Sequence, residues 1–310
     1  ENQVTPNIRL SAGMRYDVFK VDYTNQLDIP IDSKHLTPES QNVNYSHLSP
    51  KGSIIYRIND QHDAYINYRH AFRAPSVSKL FRSGKNTNTS ELEPVNTDSI
   101  ELGSRGLIGP SVSYELAIYY MEKTNDIVSV INSDNDRVSL NAGKSIHQGI
   151  ELGLTGELSQ DFSFSTAFSI SEQTYGNFEY LYSCFSCDPK VINKILNFDG
   201  NYVGKAPASL GNLALRYEPL SVHGLMVELE LEHVGEYYTD ETNTNKYGGH
   251  QLVNLRSHYQ INSQLQVYGR LQNIADERYS TYTSNKVGSD NIDYRPGAPF
   301  SLFAGFRYSF

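Results

Sequence analysis

The sequence has no tryptophan, only two cysteines, and no apolar run approaching the ~20 residues that a membrane-crossing helix needs. The last absence excludes a helical membrane protein, although a strand-built one, whose hydropathy is diluted by a polar row, stays open. The missing tryptophan means that any interfacial aromatic belt must come from the 23 Tyr and 13 Phe. Basic runs are absent too, and a net charge of −9 argues against a nucleic-acid partner. The start, Glu1-Asn-Gln-Val, is neither basic nor apolar, so it does not read as a signal peptide. An exported chain beginning this way is expected to be mature, processed or a fragment. No His-Glu-x-x-His, Gly-x-Ser-x-Gly, phosphate-cradling glycine loop or nucleotide fingerprint is present. The expectation is a protein that is not an enzyme and holds no cofactor.

What is present is clearest at the end. From Ala298 to Phe310, residues alternate with a period of two, which is a strand pattern. One row carries Phe300, Leu302, Ala304, Phe306, Tyr308 and Phe310; the other carries Ser301, Gly305, Arg307 and Ser309, with Phe303 as the exception. An apolar row facing away from a polar, arginine-bearing row suits a transmembrane β-barrel, with lipid outside and water inside. An aromatic last residue in strand register is expected to be held in a sheet.

The rest of the chain repeats this unit. Strand-like segments fall at 6–21, 46–58, 63–74, 97–107, 112–131 and 138–158. Others follow at 162–174, 206–217, 224–237, 250–261, 264–277 and 298–310. That gives about twelve antiparallel strands, too long for a soluble sandwich whose strands average ~5–6 residues. Tight turns at Asn59–His62, Gly109-Pro110, Ser159–Asp161, Pro219-Leu220 and Asn262-Ser263 alternate with mostly longer connections, the longest over 175–204. Short turns on one side and long loops on the other mark an outer-membrane barrel.

Charges cluster on one row. Glu228, Glu230 and Glu232 alternate with Leu229 and Leu231, and neighbouring strands bring Arg256, Arg270 and Arg307. So many charges belong in a wet or plugged lumen rather than a dry core, where an unpaired charge would cost several kcal/mol. Their simplest role is to solvate the inner wall and hold register.

Several patches carry a family resemblance. They are Leu48-Ser-Pro-Lys-Gly-Ser-Ile-Ile-Tyr-Arg57, Tyr65-Ile-Asn-Tyr-Arg-His-Ala-Phe-Arg-Ala-Pro75 and Leu92-Glu-Pro-Val-Asn-Thr-Asp-Ser-Ile-Glu-Leu-Gly103. Asn141-Ala-Gly-Lys-Ser-Ile-His-Gln-Gly-Ile-Glu-Leu152, Leu271-Gln-Asn-Ile-Ala-Asp-Glu-Arg-Tyr279 and the terminal Phe310 complete the set. In this order they resemble the C-terminal half of a TonB-dependent outer-membrane receptor. The resemblance implies the last strands of a 22-stranded barrel, with residues 1–310 as barrel wall and the plug domain outside this chain. It also implies the outer membrane of a Gram-negative bacterium, uptake powered by the TonB complex through the missing N-terminal part, surrounding lipids, and barrel-assembly machinery reading Phe310.

The implied cargo is an iron complex, with a ferric siderophore the leading reading. Phe72-Arg-Ala-Pro75 resembles a box of haem receptors, but residues 76–99 contain no histidine. Haem uptake is therefore the alternative, with a passive porin or an outer-membrane barrel enzyme as readings of another class. Siderophore complexes are rich in oxygen and often anionic, so Arg, Lys and Tyr on outer loops are the candidates to catch them. Those candidates are Arg73, Arg82, Lys85, Tyr175, Tyr180, Tyr182 and Lys190. Cys184 and Cys187 lack the second ligand pair that structural zinc needs, so no metal site is expected there. On an oxidising outer surface a small-loop disulfide is the expectation.

Overall fold

The computed structural model describes residues 2–26, 38–81, 91–131, 137–184, 189–285 and 291–310. The first strands are β1 (Asn2–Thr5), β2 (Ile8–Tyr23), β3 (Gln41–Asn59) and β4 (His62–Arg73). A single helical turn, α1 (Val77–Leu80), precedes β5 (Val95–Ile108), β6 (Val112–Ile131), β7 (Arg137–Glu157) and β8 (Phe162–Asn177). Then come β9 (Glu179–Cys184), β10 (Val191–Asn197), β11 (Ser209–Tyr217), β12 (Leu225–Val234), β13 (Tyr237–Tyr238) and β14 (Lys246–Tyr247). The chain ends with β15 (His250–Gln260), β16 (Leu265–Gln272), β17 (Ser280–Asn285), β18 (Ile292–Pro296) and β19 (Ser301–Tyr308).

One antiparallel sheet of 13 strands organises the molecule, in the order β1-β2-β3-β4-β5-β6-β7-β8-β11-β12-β15-β16-β19. Its twelve long strands are the twelve segments read from the sequence, preceded by the short β1. The pairs β9–β10 and β17–β18 form separate hairpins within stretches read from the sequence as loops, and β13–β14 forms a third that takes in Tyr237, the last residue of the expected strand 224–237. The short turns are closed by local side chains: Asn59 Oδ1 accepts from Gln61 N (2.9 Å), and Asn262 Oδ1 accepts from Gln264 N and Leu265 N (2.9 and 3.0 Å). These Asx turns satisfy donors that the ladder leaves open.

The sheet curls around one face. Tyr65 on β4, Glu101 on β5, Glu115 on β6, Glu151 on β7, Asn212 on β11 and Glu230 on β12 line a single cavity of about 810 Å³. The register puts all of them on one row: Tyr65 opposes Gly103, Glu101 opposes Tyr119, Glu115 opposes Gly153, and Asn212 opposes Glu232. Small residues make room there. The Tyr65 ring lies where a Cβ on Gly103 would sit, so only glycine lets the ring cross the next strand.

The opposite face is apolar. Ile118 on β6 lies between Leu102 and Ile150, and Ile170 opposes Ile150. Leu102, Ile118 and Ile170 are 57%, 53% and 56% exposed, so this row covers no protein core. At the loop end it stops at Asp98, at the Lys144–Glu122 ion pair (2.6 Å) and at the Gln148–Glu172 hydrogen bond (3.0 Å). At the turn end it stops at rings: Tyr114 beside His62, Phe162 on Tyr217 at 4.7 Å, and Tyr308 against Phe310 at 5.2 Å. A stripe of aliphatic side chains with rings at one margin and charges at the other has the layout of a membrane-facing band.

The terminal strand keeps the expected rows. Leu302, Ala304 and Phe306 oppose Leu271, Gly269 and Val267 on the apolar face. Phe303 belongs to the inner row, opposite Arg270, beside Tyr268 opposite Gly305. Buried clusters are small and sit at the loop end. Leu80, Phe81 and Leu92 pack with Val21, Tyr23, Val43, Tyr45 and Ile127, and Phe81 stacks on Tyr23 at 4.4 Å.

Candidate functional site: the acidic inner wall and the loop-end surface

The wall is built from register. On β12, Glu228, Glu230 and Glu232 oppose Arg216, Ala214 and Asn212 on β11, and Arg256, Asn254 and Leu252 on β15. Glu228 is buried and takes Arg216 Nε at 2.8 Å and the guanidinium of Arg256. Arg270 lies opposite Arg256 and Phe303, and Arg307 lies opposite Gln266. Of the three arginines read from the sequence, Arg256 is the one placed on a glutamate of the column. Arg216, which also holds Glu228, was not singled out, and only the β11–β12 register reveals it.

Three of the remaining wall carboxylates are held by neutral donors. Asn254 Nδ2 donates to Glu232 Oε1 (2.7 Å), Asn67 Nδ2 to Glu101 Oε1 (3.0 Å), and Tyr65 OH to Glu115 Oε1 (3.2 Å). Among the described residues, Glu101, Glu115, Glu151, Glu230 and Glu232 make no ion pair. Anionic groups gathered on a concave wall attract cations.

The loop-end candidates fall in two places. Arg73 is exposed at the end of β4 and lies 3.7 Å from Asp126, which Lys123 approaches to 2.6 Å. Tyr175 packs on Phe178 at 4.8 Å, and Tyr180 reaches Phe198 at 5.9 Å and Tyr182 at 6.5 Å. Tyr175 and Tyr180 thus help form the small core around Phe178 and Phe198 that holds the β9–β10 hairpin. Tyr175 lies beyond the apolar band, and its hydroxyl is held well above the usual phenol range, first by burial and then by Glu241 and Asp126. Lys190 is exposed between β9 and β10. Arg82, Lys85 and Cys187 lie outside the described residues, as does the side chain of Cys184, so the disulfide expectation falls outside them too.

One loop-end feature was not legible in advance. Asp240 is fully buried; Thr242 Oγ1 donates to it at 2.8 and 2.9 Å, and Asn285 Nδ2 at 2.9 Å. Thr239 hydrogen-bonds Asn285, which ties the β13–β14 hairpin to β17. In that hairpin Tyr247 OH accepts from Ser280 N at 3.0 Å, and burial raises its pKa above the ordinary phenol value. Among the described residues, no group of three or more His, Cys, Asp or Glu is arranged to hold a metal ion.

A long antiparallel sheet with an apolar outer face and an acidic, concave inner face defines the wall of a large β-barrel. Residues 1–274 match the family described as TonB dependent receptor-like, beta-barrel, and the chain belongs to that family. It is similar to the probable TonB-dependent siderophore receptor PiuA of Acinetobacter baumannii, at 21% identity over 283 residues, covering 90% of this chain and 36% of that protein. It is also similar to the ferric-pyoverdine BN7/BN8 receptor of Pseudomonas putida, at 22% identity over 315 residues, covering 99% and 33%. Among solved structures, the siderophore receptor PiuA from Acinetobacter baumannii superposes with a TM-score of 0.74 at 18% identity, covering 99% of this chain and 41% of that one. The ferric yersiniabactin uptake receptor FyuA of Yersinia pestis gives 0.71 at 14% identity, covering 99% and 44%. The chain thus spans 36% and 33% of the length of the two curated relatives.

Proposed function

We propose that residues 1–310 form the C-terminal part of the barrel of a TonB-dependent receptor in a Gram-negative outer membrane. The receptor takes up an iron complex, a ferric siderophore, and performs no catalysis. The apolar band faces lipid, and the concave acidic wall faces a plug supplied by the rest of the receptor. The observation that carries the reading is the pairing of these two faces on one sheet, along a chain that aligns over nearly all its length with named siderophore receptors. The exposed Arg73 and Lys190 supply cationic contacts for an anionic complex, and the loop-end hairpins frame the entrance.

The test is uptake of radiolabelled iron by iron-starved cells carrying or lacking the gene, over a panel of catecholate, hydroxamate and carboxylate complexes with haem included. Energy-dependent uptake of one siderophore complex is expected to disappear with the gene. Unchanged uptake across the panel, or loss of haem uptake alone, contradicts the siderophore reading. A large constitutive ion conductance of the purified protein in a bilayer contradicts the receptor reading in favour of an open pore.

A further inference from the structure

Where β3 and β4 part, two histidines meet. The β3–β4 pairing runs up to Lys51 opposite Arg69 and includes no residue beyond that pair. Above it, β3 stays on β2, with His47 opposite Asp17, and β4 stays on β5, with His70 opposite Asp98. His47 Nε2 and His70 Nε2 lie 2.6 Å apart. Their ring centroids are 4.9 Å apart and their planes differ by 13°. That centroid separation is what two imidazoles give when they meet edge to edge, so the two nitrogens face each other.

The surroundings fix which nitrogen is bare. His70 Nδ1 lies 2.8 Å from Asp98 Oδ1, and that carboxylate also accepts from Tyr68 OH at 2.7 Å. A carboxylate accepts only, so His70 donates from Nδ1, and in the neutral ring its Nε2 carries the lone pair aimed at His47. A carboxylate behind a histidine in this way sets the tautomer and raises the basicity of a metal ligand. Phe72 covers His47 at 4.3 Å, and Phe19 stands against Phe72 at 5.7 Å. His70, Tyr68 and Asp98 stand at the loop-end margin of the apolar band, whereas His47 shares the inner row of β3 with Tyr45 and Ile55. The two histidines thus reach each other from opposite rows where the strands part.

We propose that His47 and His70 form a binding site for a transition cation that prefers imidazole, such as Cu(I), Cu(II), Zn(II) or Ni(II). The cation takes both Nε2 atoms, with water filling any further positions. Metal–nitrogen distances of about 2.0–2.1 Å require the two nitrogens to move apart, which the end of β3–β4 pairing at Lys51 and Arg69 permits. Binding shifts the His47 proton from Nε2 to Nδ1, so no proton need be released. Asp98 stays on His70 as the group that positions it. None of this depends on the iron-complex reading.

The experiment titrates Zn(II) and Cu(II) into the full-length receptor in detergent, and into H47Q, H70Q, D98N and H223Q. His223 lies in an exposed turn at the opposite end of the sheet. H47Q and H70Q are each expected to remove one bound cation per chain. D98N is expected to weaken it by about 10–100-fold, and H223Q to change nothing. Each variant's heat-shifted gel mobility reports folding, and iron-complex uptake is measured separately. Wild-type stoichiometry and affinity in folded H47Q and H70Q, or no binding by the wild type, overturns the proposal.

Discussion

Ile118→Arg is expected to destabilise the folded protein in lipid vesicles by about 2–4 kcal/mol, the depth-dependent cost of a cation on the lipid face near the bilayer centre. Ile118 sits mid-row between Leu116 and Tyr120 and is flanked across the strands by Leu102 and Ile150. No carboxylate on that row is near: Asp98 and Glu122 lie at its loop-end margin. Ser165→Arg places the same side chain on the inner row, where Ser165 opposes Thr155 and Ala214. The acidic wall can solvate it there, and the change is expected to stay below about 1 kcal/mol. Denaturant titration in bilayers measures both. Equal costs would mean that the two faces do not divide lipid from water.

Glu228 gives the second large effect. Its side chain is 2% exposed, while Arg216 and Arg256 are 45% and 48% exposed. Removing one partner of a buried pair costs roughly 3–5 kcal/mol. Here the two arginines can turn to water, so Glu228→Gln is expected to cost about 2–3 kcal/mol. Arg216→Ala and Arg256→Ala each leave the carboxylate one guanidinium, and each is expected to cost about 1–2 kcal/mol. The double variant strands a buried anion, so its cost should exceed the sum of the singles. Additivity in the same titration would show that Glu228 does not depend on the two arginines together.

The architecture was legible because alternation survives wherever one side of a strand is apolar. The segment 112–131 coincides with β6, and 250–261 with β15 apart from one residue. The pattern fell short at the loop end. β3 begins at Gln41, five residues before the predicted 46, because Val43 and Tyr45 continue its inner row beyond the apolar band, where they pack with Leu80, Phe81 and Leu92. The β9–β10, β13–β14 and β17–β18 hairpins are short, and backbone pairing rather than periodicity defines them. The predicted strand at 264–277 stops at Gln272. Asn273 and Asp276 take φ near +50°, and Asn273 bonds Glu277 and the carbonyl of Ala298.

Site residues were less legible, because charge columns show on one strand while pairing needs register between strands. Glu228, Glu230 and Glu232 read as one column, yet register gives Glu228 both guanidinium groups and sets Arg270 opposite Arg256. A one-residue slip would reassign every pair. Tyr175 and Tyr180 read from the sequence as aromatic, loop-borne ligand candidates, and the fold adds that both pack on the small core of Phe178 and Phe198. The His47–His70 contact has no sequence signature, since it forms where two strands separate.

The most direct measurement of the two-faced wall is a nitroxide scan along β6 from Tyr114 to Tyr120 in the full-length protein in lipid. Each label is read for collision with oxygen, which partitions into hydrocarbon, and with a nickel chelate, which stays in water. Oxygen access should peak at Leu116, Ile118 and Tyr120 and fall at Glu115, Ala117 and Tyr119, giving a strict period of two. A flat profile, or oxygen maxima at Glu115, Ala117 and Tyr119, would contradict the lipid-facing assignment of the apolar row and the barrel reading that rests on it.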